Sequence, residues 1–273
     1  MQEEVLVKFS SLFAAAAIAA VCSTTLVSQT PGSGYHTVAC VKIKPDKGSE
    51  FRKWAAEDAH KVAQARVDSG ALSMWFLLRS VMPQGESAQC DYLAISMYPG
   101  APPQPASLED LQNAMKKAGL SISAQEFVDR RDSLTTLVSN NLFQTRASVG
   151  SFKKGDYFRV NYMKAGNVDD YVNFEKKVWQ PLAEAMIKDG VGSGWSLNEQ
   201  VMPGGTGLKF NTVTVDVFPS WDDIYKPDAQ FYERFRKVHP DMELGTTFET
   251  YEKLRDQISI ELYTVADLVS PAK

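Results

Sequence analysis

Between His36 and Lys44 the side chains alternate in the manner of a strand, and from Ser49 to Ser69 the apolar positions Phe51, Trp54, Ala55 and Val62 recur at helical spacing. The same succession returns from Tyr157 to Lys164 and from Asp169 to Asp189, where Tyr171, Phe174, Val178, Leu182 and Ala185 form the stripe. Gly70 and Gly190 stand where a left-handed helix cap falls, and Pro181 predicts a kink or restart inside the second helix. After each cap comes a strand, then a Pro/Gly turn (MPQGES from Met82, MPGGTG from Met202), then a strand over Asp91–Tyr98 or Asn211–Phe218. A second helical region follows, Leu108–Lys117 with Ala124–Leu137, matched by Asp228–Val238 with Phe248–Ile258. A last short strand closes each copy near Leu142–Arg146 and Leu262–Ala266.

The two series are copies of one another. Laying residues 36–99 over 156–219 requires no gap and matches Lys44/Lys164, Gly70/Gly190, Ser73/Ser193, Trp75/Trp195, Leu77/Leu197, Val81/Val201, Met82/Met202, Pro83/Pro203 and Gly85/Gly205. About a dozen identities fall in register where ordinary composition supplies roughly four. A period this long is a duplicated domain rather than a solenoid. The expected division is a leader over 1–30, a first repeat over 35–148 and a second over 155–270. Each repeat runs strand, helix, strand, strand, helix, strand, the ferredoxin-like series, so the class is α+β.

In element order, repeat size and duplication over roughly residues 35–267, the chain resembles the dimeric α+β barrel superfamily, which includes antibiotic-biosynthesis-type monooxygenases, EthD-like and NIPSNAP-like proteins. No specific family signature accompanies the resemblance. It implies two tandem βαββαβ repeats that oppose antiparallel sheets to form an intramolecular barrel with helices outside. Physics agrees, because a four-stranded sheet covered by helices on one face needs a partner for the other. The arrangement predicts a monomer holding an internal pseudo-dimer, with further dimerisation left open.

Strand alternation then sorts side chains between helices and barrel. Leu93, Ile95 and Met97, with Val213, Val215 and Val217, are apolar in both copies and are expected beneath the helices. Trp75, Leu77, Trp195 and Leu197 share that expectation on the strands that follow the glycine caps. The opposite parity is predicted to line the barrel. It is greasy in the first copy, with Phe76, Tyr92 and Tyr98, and polar in the second, with Arg159, Asn161, Asn198, Thr214 and Asp216. Buried polar groups are costly unless paired, so this second wall either satisfies itself as an internal Arg–Asp network or lines a wet cavity open to a ligand.

Composition narrows the functions. The chain has 273 residues, 44% apolar and 23% charged, as in ordinary globular proteins. A net charge of −4 without a basic run leaves no footprint for nucleic acid. The apolar run from Ser11 to Cys22 is too short to span a bilayer and suits a secretory signal, although Glu3 and Glu4 outweigh Lys8 before it. Export to the periplasm or outside the cell is therefore expected, with no membrane association after signal removal. A lipoprotein reading of Cys22 is weakened by Val21, where a small residue is wanted. Cys40 and Cys90 form no metal-ligand spacing. Export permits a disulfide, but both fall in strands read as several residues out of alignment, so the pattern predicts two small buried hydrophobes.

Glycine-rich phosphate loops, GxSxG and HExxH are absent. Of the three histidines, His36 starts a strand, His239 lies in KVHPDM, and His60 lies on the first helix. The resemblance implies haem or aromatic substrates near the sheet face covered by such a helix, which makes His60 a candidate, although its charged helix favours a solvent-facing role. No metal is predicted and no cofactor is required. Three functions remain: binding of a small, partly apolar molecule in or beside the barrel, a cofactor-independent or haem-associated monooxygenase-like enzyme, and a solid structural or interaction module. Binding ranks first because no catalytic constellation can be assembled.

Overall fold

The structure, a computed structural model, describes residues 34–101 and 104–271. The expected signal segment lies outside the described residues. Eight strands, β1 (Tyr35–Ile43), β2 (Met74–Met82), β3 (Tyr92–Tyr98), β4 (Thr135–Gly150), β5 (Tyr157–Ala165), β6 (Gly194–Met202), β7 (Thr212–Phe218) and β8 (Arg255–Val269), close into one barrel. The order is β1-β3-β2-β8-β5-β7-β6-β4 with every pair antiparallel. Each copy supplies a ferredoxin-like sheet, β4-β1-β3-β2 and β8-β5-β7-β6. The fold class read from the sequence is the one observed.

Closure depends on the last strand of each copy, which is far longer than the pattern suggested. The first part of β4, Thr135 to Gln144, pairs with β1, and its second part, Leu142 to Gly150, pairs with β6 of the other copy. In the same way β8 pairs with β5 and then with β2. The predicted helices ending at Leu137 and Ile258 are correspondingly cut back to Leu134 and Leu254. The β-branched run from Thr135 and the alternation from Arg255 favour strand over helix there.

Helices cover the outside. In the first copy, α1 (Gly48–Trp54), a π-helical turn (Ala55–Ala59) and α2 (His60–Asp68) form one rod, with α3 (Leu108–Lys117) and α4 (Ala124–Leu134) beside it. In the second, α5 (Val168–Lys188) continues through Pro181 as one helix, so of the kink or restart expected there the restart does not occur, and α6 (Lys226–Val238) and α7 (Leu244–Leu254) join it. Ser107 and Ser123 open α3 and α4 with capping boxes, and the Asn167 side chain caps α5 by accepting from the amides of Asp169 and Asp170. Gly70 and Gly190, at φ +74° and +70°, end the long helices in the left-handed conformation expected. Met82–Pro83 and Met202–Pro203 are both cis, so the repeated MPxG turn is repeated in backbone as well.

The ungapped overlay of the copies is correct from the long helix onward but two residues out in the first strand. Tyr35 faces Tyr98 in one sheet, and Tyr157 faces Phe218 in the other. The connection from β1 to α1 is two residues longer than that from β5 to α5, which hides the offset in sequence. Lys42, not Lys44, is thus the counterpart of Lys164, and each donates to a carbonyl of its own hairpin turn. Asp91 and Asn211 likewise accept from the amides of Ile43 and Ala165.

Cys40 and Cys90 form a disulfide, with Cα atoms 5.3 Å apart, correcting the expectation of two separate hydrophobes. That expectation placed Cys90 in a strand. The strand begins only at Tyr92, and the bend before it returns the chain over the lumen end of β1, where Cys40 points inward. Both cysteines are packed in the barrel core.

Candidate functional site

Register decides which side chains enter the barrel. Trp75 pairs with Ser96 and Phe76 with Ile95, so the Trp75 face carries Ser96 and Ala94, while the Phe76 face carries Ile95 and Leu93. Trp75 and Leu77 pack beneath the first copy's helices, as expected, and so do Trp195 and Leu197 in the second. On β3 and β7 the expected parity is reversed. Leu93, Ile95, Met97, Val213, Val215 and Val217 line the lumen. The physical reason is that the lumen is itself apolar, so retained apolar character marks both faces equally.

The predicted site residues are therefore divided. Phe76 and Asn198 lie in the lumen. Tyr92 packs on Phe51 of α1, at 4.8 Å between ring centroids, and Tyr98 joins the cluster of Ala63, Val67 and Leu72 on the helix side. Arg159, Asn161, Thr214 and Asp216 also lie outside the barrel wall. There they satisfy one another: Arg159 Nε donates to Asp216 Oδ2 at 3.2 Å, and Asn161 Nδ2 donates to the same oxygen at 3.1 Å and to Thr214 Oγ1 at 3.3 Å. Of the two readings of this set, the internal network describes it.

Next to the network sits a buried acid that the pattern did not reveal. Glu175, on the apolar side of α5, accepts from the hydroxyls of Tyr171 at 2.5 Å and Tyr251 at 3.1 Å. Burial pushes its carboxyl up to about 8 and the two phenols upward as well. All three side chains are buried.

His60 is not poised over a cofactor slot. Its Nδ1 is 2.8 Å from Asp267 Oδ2 on β8, and Lys154 also reaches Asp267. The adjoining surface cleft is walled chiefly by Lys61, Gln64, Asp68 and Lys117. The layer between these helices and the sheet is filled by Phe51, Trp54, Leu77, Tyr92, Met115 and Phe127. These residues do not fit a haem, which needs an apolar slot beside its axial ligand.

The lumen itself holds a cavity of about 270 Å³ at the barrel end where β1, β2, β5 and β6 begin. Its walls are apolar and come from both copies: Met74, Phe76 and Ile95 from one, Phe158, Val160 and Val217 from the other. Phe152, from the segment joining the copies, packs edge-on to Phe76 and Phe158 at 4.9 and 5.0 Å. One pole is polar. The His36 ring stacks on Phe143 at 5.5 Å, and its Nδ1 lies 3.4 Å from Thr145 Oγ1. Thr145 Oγ1 donates to Asn198 Oδ1 at 3.1 Å, and Asn198 Nδ2 donates to Ser196 Oγ at 3.1 Å and to the Val213 carbonyl at 3.4 Å. Burial lowers His36 to about 4, so the ring is neutral at neutral pH. Sequence reasoning set His36 aside as a strand start. Its shared parity with Val38 and Cys40 was the available signal.

Among the described residues no helix is long and apolar enough to cross a membrane, and no group of His, Cys, Asp and Glu could hold a metal ion. No family model matches the chain, and no curated protein sequence does. Its fold is shared with solved structures. A protein of Lactobacillus acidophilus, described provisionally as a monooxygenase, superposes with a TM-score of 0.52 at 10% identity, covering 88% of this chain and 97% of that one. A second, from Fusobacterium nucleatum subsp. nucleatum and described in the same way, gives 0.56 at 11% identity, covering 88% and 95%. An anthrone oxidase-like protein gives 0.47 at 13% identity over 89% and 95%. The chain has the dimeric α+β barrel fold, with both halves of the barrel in one polypeptide.

Proposed function

We propose that this protein binds a small apolar molecule inside its barrel. The observation that carries the reading is the cavity of about 270 Å³ with mainly apolar walls from both copies and a polar pole at His36, Thr145 and Asn198. A guest of matching shape gains dispersion contacts with these walls and takes apolar surface out of water. Ser196 lies in the cavity wall at the position where the first copy has Phe76, so the wall lacks a ring at this point.

The test is naphthalene binding, read as a rise in melting temperature and by titration. The wild-type chain is expected to bind, and Ser196→Phe, which refills the wall, is expected to abolish the response while keeping the fold. No response from the wild type, or an equal response from Ser196→Phe, would overturn the reading. A second reading, oxygenase-like chemistry in the same cavity, is supported by the description of two proteins of this fold as monooxygenases. Oxygen uptake on adding an aromatic alcohol separates it from binding alone. Export is part of the proposal too. The Cys40–Cys90 disulfide supports an oxidising compartment, in keeping with the apolar run from Ser11 to Cys22, and fractionation of cells carrying the full chain tests it.

A further inference from the structure

The hydrogen bonds at the polar pole fix where the protons are. The Val213 carbonyl can only accept, so the amide nitrogen of Asn198 faces it and the amide oxygen faces Thr145. The single proton of the Thr145 hydroxyl goes to that oxygen. Toward His36 the hydroxyl can then only accept, which places the imidazole proton on Nδ1. In a neutral ring with its proton on Nδ1, Nε2 is a bare acceptor. It has no partner among the described residues, and the ring lines the cavity.

We propose that this pole selects a neutral aromatic alcohol of about two rings, whose hydroxyl donates to His36 Nε2 while its rings lie among Phe76, Phe152 and Phe158. The inference rests on the cavity binding proposed above. An apolar cavity of about 150 Å³ holds benzene, so about 270 Å³ suits roughly two rings. The edge-on contacts of the three phenylalanines are the geometry an aromatic guest extends. A carboxylate is disfavoured at this pole. Both amide protons of Asn198 and the hydroxyl proton of Thr145 are committed, leaving the Ser196 hydroxyl as the one free donor among these groups. A single neutral donor does not offset the desolvation of a charge.

Dissociation constants of the full chain for 2-naphthol, 2-methoxynaphthalene, naphthalene and 2-naphthoate test the assignment at neutral pH. The alcohol and its methyl ether are similar in size and differ in the donor. A hydrogen bond in a dry site predicts that 2-naphthol binds roughly tenfold tighter than the ether, with 2-naphthoate weakest. In His36→Phe the preference for the alcohol over the ether is expected to vanish while naphthalene still binds. Thr145→Val, which releases the Nδ1 proton from its acceptor, is expected to weaken the preference without a change in charge. Long-range proton–nitrogen NMR correlations on the wild-type imidazole read the tautomer directly, and need no variant to fold. Equal binding of alcohol and ether, a preference for the ether, or a proton found on Nε2 would overturn the inference and leave the cavity reading standing. Failure of every probe to bind would overturn both.

Discussion

Replacing both Cys40 and Cys90 by alanine removes a bridge that ties β1 to the approach of β3 across a sequence separation of 50. In the chain-entropy account, a cross-link closing a loop of that length destabilises the unfolded ensemble by about 4 kcal/mol. For a chain of this size each kcal/mol moves the melting temperature by roughly 2–4 °C, so a fall of about 8–16 °C is expected. The two cysteines are 3% and 5% exposed, which makes the double variant a cleaner perturbation than added reductant. Urea unfolding of the wild type and the variant, monitored by tryptophan fluorescence, gives the difference directly. Thiol titration of the wild type, denatured without reductant, provides an independent check: Cys40 and Cys90 should contribute no reactive sulfur. Reactive thiols at those two positions, or a variant within about 1 kcal/mol of the wild type, would refute the argument.

Two further outcomes follow from the buried groups. Glu175, held near 8 by burial, keeps a proton that an unfolded carboxyl with a pKa of about 4.3 has already released, so its contribution to stability is lost as pH rises from about 4.3 to 8. His36, lowered to about 4, refuses a proton that the unfolded chain accepts near 6.5, so its contribution is present above about 6.5 and lost as pH falls toward 4. The two slopes oppose each other below about pH 6.5, and above it Glu175 acts alone. Urea midpoints should therefore decline from about pH 6.5 to 8, and Glu175→Gln should flatten that decline; an unchanged decline in the variant would count against the assignment. For the network outside the barrel, Arg159 is 31% exposed and its pair is screened, so Arg159→Leu is expected to cost about 1 kcal/mol. Asp216→Ala strands both Arg159 and Asn161 and is expected to cost about 2 kcal/mol. Neither change should alter naphthalene affinity, because both residues lie outside the lumen. Loss of binding in either would return them to the candidate site.

The duplication, the element order and the outward tryptophans were legible because each rests on a local rule: helical spacing, a glycine cap, or a turn of Pro and Gly. What could not be read was anything that depends on register between distant strands. Leu93 and Val213 satisfy the requirement of a helix-facing wall as well as that of a lumen wall, and only the pairing of Phe76 with Ile95 separates the two. The bend that carries Cys90 back over Cys40 and the doubled pairing of β4 are likewise tertiary facts. Glu175 escaped notice because one carboxyl on the apolar side of a helix gives no signal without the two tyrosines that reach it from α5 and α7.

The duplication also bears on which side of the lumen can recognise a ligand. Two identical copies would present every lumen side chain twice, so a guest would meet the same chemistry at both poles and bind in either orientation. The observed barrel breaks that equivalence. By strand register, the counterparts of His36, Thr145 and Asn198 are Phe158, Val265 and Leu78, all three in the apolar core. One pole therefore offers an acceptor held by a relay of hydrogen bonds, where the other has hydrocarbon at the three matching positions. In the helix-facing layer the copies diverged again, at unrelated positions: Phe51, Ala55 and Ser96 of the first copy stand where Tyr171, Glu175 and Asp216 form the polar network of the second. That second divergence is paired internally, whereas in the lumen the His36 ring lines the cavity and its Nε2 has no partner among the described residues. A polar group added to a core for stability alone is expected to find its partner within the protein. The polar pole of the lumen, unlike the network around Asp216, is therefore where recognition of a guest is expected.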